Sequence, residues 1–132
     1  MDYQLGAYAT PAIDLTYILL NFISDSNRFS RYDEVLAVYH EQFSEALKKF
    51  GYLKQPPALL DVQIEMMRNG HLFAILLMFM FPYLIIDYDT LTEEDFGLGP
   101  NHLFAKCFVN ERYRNVLKEG LNIFLAKGYF TV

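Results

Sequence analysis

Hydrophobic positions recur along this chain at spacings of three and four, the signature of amphipathic helices rather than strands. The clearest stretch runs from Arg28 to Phe50. Tyr32, Leu36, Tyr39, Phe43, Ala46, Leu47 and Phe50 share one helical face there, while Arg31, Asp33, Glu34, Glu41, Glu45 and Lys48 fall elsewhere. Gly51 follows as a terminator in the role of a left-handed cap. Upstream, Pro11 suits the first turn of a helix. Ile13, Leu15, Tyr17, Ile18, Leu19, Leu20, Phe22 and Ile23 surround that helix nearly all round, which predicts a central and buried element. Ser24-Asp25-Ser26-Asn27 ends it and offers the cap of the next helix.

Beyond the stiff connector Gln55-Pro56-Pro57, the pattern predicts a shorter helix from Leu59 to Asn69, closed by Gly70, and an apolar helix from His71 to Phe81. Asp87 to Asn101 is polar and punctuated by Gly and Pro, so it reads as a loop with at most one helical turn around Thr92-Glu93-Glu94-Asp95. The last predicted helix spans Asn110 to Ala126. Val116, Leu117, Leu121, Phe124 and Leu125 face inward, and Lys127-Gly128 ends it. Residues 1–10 read as extended chain and loop, with Gly6 and Thr10-Pro11 as breakers. The expected fold is mostly α, with about five helices and little or no strand.

Composition narrows the function classes. Hydrophobic residues make up 53% of the chain and aromatics 17%, too apolar for a disordered segment. A net charge of −5 with no Lys/Arg cluster excludes nucleic acid and anionic membrane surfaces as expected partners. Leu72 to Ile86 is an unbroken apolar run, but a spanning helix wants about 20 such residues. The run is shorter, carries Pro82, and is flanked by His71, Asp87 and Asp89 with no basic bias, so a helix buried inside the protein explains it better than a membrane segment. With Cys107 as the one cysteine, no intrachain disulfide can form. Its apolar neighbours Phe104, Ala105 and Phe108 make a buried spectator the better reading than a nucleophile. The start Met1-Asp2-Tyr3-Gln4 has neither a basic nor an apolar leader region, and a cytoplasmic location is expected.

The residues taken singly offer little chemistry. The sequence has no GxxxxGK[ST], no Gly-rich nucleotide loop and no His/Cys metal spacing. His40, His71 and His102 lie far apart in three contexts and read as surface or packing histidines. No serine stands in a nucleophile-elbow context.

The start of the chain changes this picture. Asp2-Tyr3-Gln4, a short loop, and Pro11-Ala12-Ile13-Asp14-Leu15 at the head of an apolar helix resemble a stretch of the kinase-like small-molecule phosphotransferases. Within that group the sequence is most similar to the ecdysteroid kinase-like family, relatives of the choline and aminoglycoside kinases. In that family a strand leads into Asp-Phe-Gln or Asp-Tyr-Gln, followed by Pro-x-x-Asp-Leu opening a buried helix. Asn27-Arg28-Phe29-Ser30-Arg31, Tyr39-His40, Leu47 to Gly51 and Pro57 agree with the downstream pattern. The resemblance covers nearly the whole chain, most specifically residues 1–20 and 36–57.

The resemblance implies a specific organisation. Residues 1–132 would form a single partial domain, the helical part of a protein-kinase-like C-terminal lobe. The nucleotide-binding lobe and the catalytic His-Gly-Asp loop would be absent from it. Asp2 matches the carboxylate that holds the magnesium bridging the nucleotide phosphates, a role suited to a hard anionic oxygen ligand. Asp14 matches an aspartate that braces the catalytic loop; without that loop it is expected to cap its own helix. Mg2+ and ATP belong to the complete family enzyme and are not expected on this chain alone, and no catalytic or cofactor-binding residue is assigned. The acceptor implied is a small-molecule alcohol of ecdysteroid type. Helix His71–Phe81 and loop Asp87–Pro100 could line its cleft through Phe73, Met78, Met80 and Phe81, although a Met/Phe stripe at helical spacing reads first as core. The expected activity is therefore that of an inactive fragment of an ATP-dependent kinase, the alternative being a non-enzymatic helical interaction module or pseudoenzyme. Apolar surface exposed in such a lobe would favour self-association.

Overall fold

The computed structural model describes residues 9–130. The Asp2-Tyr3-Gln4 motif and the extended reading of residues 1–8 lie outside the described residues. Within them the fold is mostly α, as the periodicity predicts, and no strand is present. Helices α1 (Pro11–Asn21), α2 (Asp25–Arg28) and α3 (Tyr32–Lys49) are followed by α4 (Leu59–Arg68) and α5 (Gly70–Ile75). The chain continues without a break through a π-helical segment, Leu76–Met80, into α6 (Phe81–Ile85). A 3-10 turn (Tyr88–Thr90) precedes α7 (Glu93–Gly97), α8 (Pro100–Val109) and α9 (Glu111–Ala126).

One core holds these elements together. Leu15, Leu19 and Leu20 of α1 meet Leu36 of α3, Met66 of α4, Phe73 and Leu77 of the apolar segment, and Phe124 of α9. Aromatic rings fill its centre. Phe73 and Phe124 lie with centroids 4.8 Å apart, and Phe29 meets Phe124 edge-on at 6.0 Å. Gly120 lets α9 approach closely, since a Cβ there would stand 2.5 Å from Leu77 Cδ2.

The apolar run is longer than the helix expected from it. Helical structure extends past Phe81 to Ile85, through Pro82, because a π-helical segment ends two residues before the proline. Proline has no N–H for the carbonyl four residues back and crowds it, so an interior proline is tolerated where the ladder widens. That carbonyl belongs to Met78, and the Tyr113 hydroxyl donates to it at 3.1 Å. Among the described residues no single helix is long and apolar enough to cross a membrane. The α4 and α5–α6 segments are bent by 57° against each other, and Phe73, Ala74, Leu77 and Phe81 are buried in the core.

Both terminal glycines act as the periodicity predicts. Gly51 and Gly128 have φ of 75° and 74°. After Gly51, Tyr52 N–H bonds to the Leu47 carbonyl and Gly51 N–H to Lys48, which closes α3 in a Schellman turn. After Gly128 the same turn carries Tyr129 N–H to the Phe124 carbonyl and stacks the two rings at 5.4 Å. Gly70 departs from its expected role. It does not cap α4 but opens α5, buried under the Tyr129 ring, where a Cβ would lie 2.2 Å from Cγ.

Three further features correct the sequence reading. Helix α1 is not buried all round: Tyr17 and Ile18 face outward and Phe22 is 80% exposed. Residues 100–109 form α8, although Asp87–Asn101 reads as loop; the signal is Gly99 at φ 88° followed by Pro100 at the first helical position. Leu125 points to solvent, and Tyr113 and Gly120 complete the inner stripe of α9.

Candidate functional site

The head of α1 carries the described half of the resemblance. Thr10 is its N-cap, with the hydroxyl accepting from Ala12 N–H at 3.4 Å, and Pro11 occupies the first helical position. Asp14 does not cap the helix, contrary to expectation. It lies in the fourth helical position, past the reach of the free N–H groups, and is exposed. Its charge and burial together raise the Tyr39 hydroxyl above its ordinary pKa, burial being the larger cause. Tyr17 and Ile18 lie three and four positions after Asp14, and Asn21 four and three after them, so the four form the outward stripe of α1.

The other end of α1 is closed by a residue that the sequence presents as part of a polar start. Arg28 is 2% exposed. Its Nε donates to the Leu19 carbonyl at 3.1 Å, and Nη2 donates to Leu20 at 3.1 Å and Ile23 at 2.9 Å. The Leu19 and Leu20 carbonyls are among those that the last turn of a helix leaves unpaired, and Ile23 lies just past the C-cap. Nη1 pairs with Asp25 at 2.7 Å, and the guanidinium lies 4.6 Å from the centre of the Phe81 ring. Asp25 also binds Arg112 of α9 at 2.5 Å, and these guanidinium hydrogen bonds, Arg112 first, hold its carboxyl below the usual range despite opposing burial. A planar five-donor fork serves this arrangement as a lysine could not.

A second polar cluster joins α7 to α8. The Asp95 carboxylate, 5% exposed, accepts from Lys106 Nζ at 2.7 Å, Thr92 N–H at 2.8 Å, Thr92 Oγ1 at 2.9 Å and His102 Nε2 at 2.9 Å. The Lys106 ammonium first, and then the Thr92 N–H and His102, hold its carboxyl well below the ordinary aspartate value. Every oxygen is occupied by the fold, so the cluster works as a clamp. Neither His102 nor His40, which bonds the Pro57 carbonyl at 2.9 Å, is placed as a free base.

The sequence-named side chains separate. Phe73 and Phe81 are core, Met78 is half-buried, and Met80 is exposed beside Phe79, whose ring stacks on Phe104 at 5.9 Å. The four do not gather on one cleft. Cys107 is buried, and burial raises its thiol above the ordinary value, which suits a spectator. Asp2, the one metal ligand the resemblance implies, lies outside the described residues. Among the described residues no three His, Cys, Asp or Glu side chains converge as a metal site.

No curated protein and no solved structure matches the chain. Residues 1–52, the segment holding Asp2-Tyr3-Gln4, Pro11–Leu15, α1 to α3 and the turn at Gly51, match the ecdysteroid kinase-like family.

Proposed function

We propose that this chain is the helical portion of the larger lobe of an ATP-dependent kinase for a small-molecule alcohol, ecdysteroid-like in type, and that by itself it transfers no phosphate. The family match over residues 1–52 carries this reading. The outward stripe of α1 supports it, because Asp14, Tyr17 and Ile18 present a carboxylate and apolar surface where the family braces its catalytic loop. In the complete enzyme Asp2 would hold the magnesium that neutralises charge on the nucleotide phosphates. Phosphoryl transfer needs several groups positioned together, and these 132 residues contain no His-Gly-Asp and no phosphate-binding glycine loop.

Two measurements test this. The chain, incubated with labelled ATP, magnesium and a hydroxylated steroid, gives no phosphorylated product; product above a no-protein control overturns the inactivity. Genomic sequence upstream of the Met1 codon is expected to encode an in-frame strand with His-Gly-Asp. A stop codon there, with no such motif, favours a non-enzymatic helical module instead.

A further inference from the structure

The outer face of α9 carries a groove of about 840 Å³ that begins at the end of α8. Phe108, Val109, Leu117 and Leu121 make its apolar wall, and Arg114 and Lys118 stand along it one turn apart. Ion pairs occupy Arg28, Arg31, Lys49, Arg68, Lys106, Arg112 and Lys127. Arg114 and Lys118 form none among the described residues, nor do Lys48 and Lys54 away from the groove; with Glu111 also in the lining, the groove sets two cations against one carboxylate on a chain whose net charge is −5.

The complementary surface lies on the same chain. Residues 69–105 contain no lysine or arginine, and Asp87, Asp89, Glu93 and Glu94 are exposed there. Between and beyond these carboxylates, Tyr88, Phe96 and Leu98 are each more than half exposed. The groove joins cations to an apolar wall, and the 87–98 segment joins carboxylates to apolar side chains. The acidic segment is clamped to α8 at His102 and Lys106 through Asp95, and the groove at the end of that helix is lined by no residue of 87–98.

We propose that a second copy of the chain fills the groove, seating its 87–98 segment between Arg114 and Lys118 and the wall of Phe108, Val109, Leu117 and Leu121. The contact is head-to-tail. It leaves a free groove at one end of the pair and a free acidic segment at the other, so association continues with concentration rather than stopping at a symmetric dimer. Charge supplies the register and makes the contact sensitive to salt, whereas apolar surface elsewhere on the molecule would associate independently of it. The inference rests on neither the family match nor the kinase reading.

Sedimentation velocity and light scattering across a concentration series test it. The expected result is a mass that climbs with concentration in dilute salt and falls back toward the monomer at about 1 M salt, where screening acts within about 3 Å. Arg114→Glu with Lys118→Glu gives a monomer, as does Asp89→Lys with Glu94→Lys; none of these four side chains takes an ion pair among the described residues. Mixing the two double variants restores association, because each reversed surface then meets its opposite. A wild-type chain that stays monomeric throughout the series overturns the proposal. So does association that survives the Arg114/Lys118 reversal unchanged, or a mixture of well-folded variants that stays monomeric.

Discussion

The Tyr113 hydroxyl donates to the carbonyl of Met78 at 3.1 Å, the carbonyl that an α-helix would pair with residue 82. Residue 82 is proline and has no N–H to give. A buried side chain from α9 thus completes the apolar segment at the point where the sequence interrupts it. Removing the hydroxyl with Tyr113→Phe leaves a buried polar group short of a partner, at a cost of about 1–3 kcal/mol. In a Pro82→Ala background the new N–H serves the same carbonyl, and the cost of Tyr113→Phe shrinks. A double-mutant cycle by urea denaturation checks this. Equal costs in both backgrounds would show that the two residues act separately.

Arg28 bears on stability in a different way, because it serves three carbonyls and a carboxylate at once. Arg28→Met leaves the Leu19, Leu20 and Ile23 carbonyls without their donor and Asp25 without its buried partner. The expected loss is about 3–5 kcal/mol, the range found when one partner of a buried ion pair is removed. Arg28→Lys recovers little of it, since an ammonium cannot span the same acceptors as a planar fork. Exposed Arg31 is the control: its pair with Glu34 lies in solvent, and Arg31→Met changes the urea midpoint little. An Arg28→Met midpoint as close to wild type as the Arg31 control would dismiss the capping role.

Gly70 and Gly51 separate two reasons for glycine. At Gly70 the backbone is ordinary, but the Tyr129 ring fills the space, with Cγ 2.2 Å and Cδ1 2.4 Å from a built Cβ. At Gly51 the space is open and the constraint is φ of 75°. Gly70→Ala therefore costs about 1–3 kcal/mol through overpacking, despite the better helix propensity of alanine. In a Tyr129→Ala background the same change becomes neutral or stabilising. Gly51→Ala costs about 1 kcal/mol in either background. Thermal unfolding of the four combinations distinguishes them. A Gly70→Ala penalty that persists without the Tyr129 ring would place its cause elsewhere.

Periodicity made α3, α4 and most of α9 legible, because each has one apolar face against the core and a turn that ends it. What it could not reach were relations between elements. Arg28 stands among polar residues and reads as surface; its burial is decided by the free carbonyls of α1, which lie eight and nine positions away. The outward face of α1 is invisible for the opposite reason, since an all-apolar helix has no pattern to say which side meets solvent. Helix α8 follows a Gly/Pro-marked segment that favours a loop, and the same Gly99-Pro100 pair that suggests the loop is the start of the helix. The candidate site was legible as a motif in residues 1–15, and of that motif the structure describes the part from Ala9 onward.

The Asp95 clamp gives the chain a defined acid sensitivity. Its carboxyl is held well below the ordinary value, chiefly by the Lys106 ammonium, then by the Thr92 N–H and His102. A group whose folded-state pKa is depressed stabilises the fold above its unfolded pKa, near 3.9, and loses that contribution as pH falls through the folded value. Wild type should therefore be more stable than Asp95→Asn at neutral pH. The gap should stay level down to pH of about 4 and narrow below it, as protonation makes the two side chains alike in charge. Hydrogen exchange at the amides of α7 and α8 locates the effect, because the clamp joins those two helices and no others. Lys106→Met removes the largest cause and moves the narrowing to higher pH. A gap that stays constant from neutral pH into strong acid would mean that Asp95 titrates alike in the folded and unfolded chain, and the Lys106 and His102 contacts would then carry no pH-dependent stability.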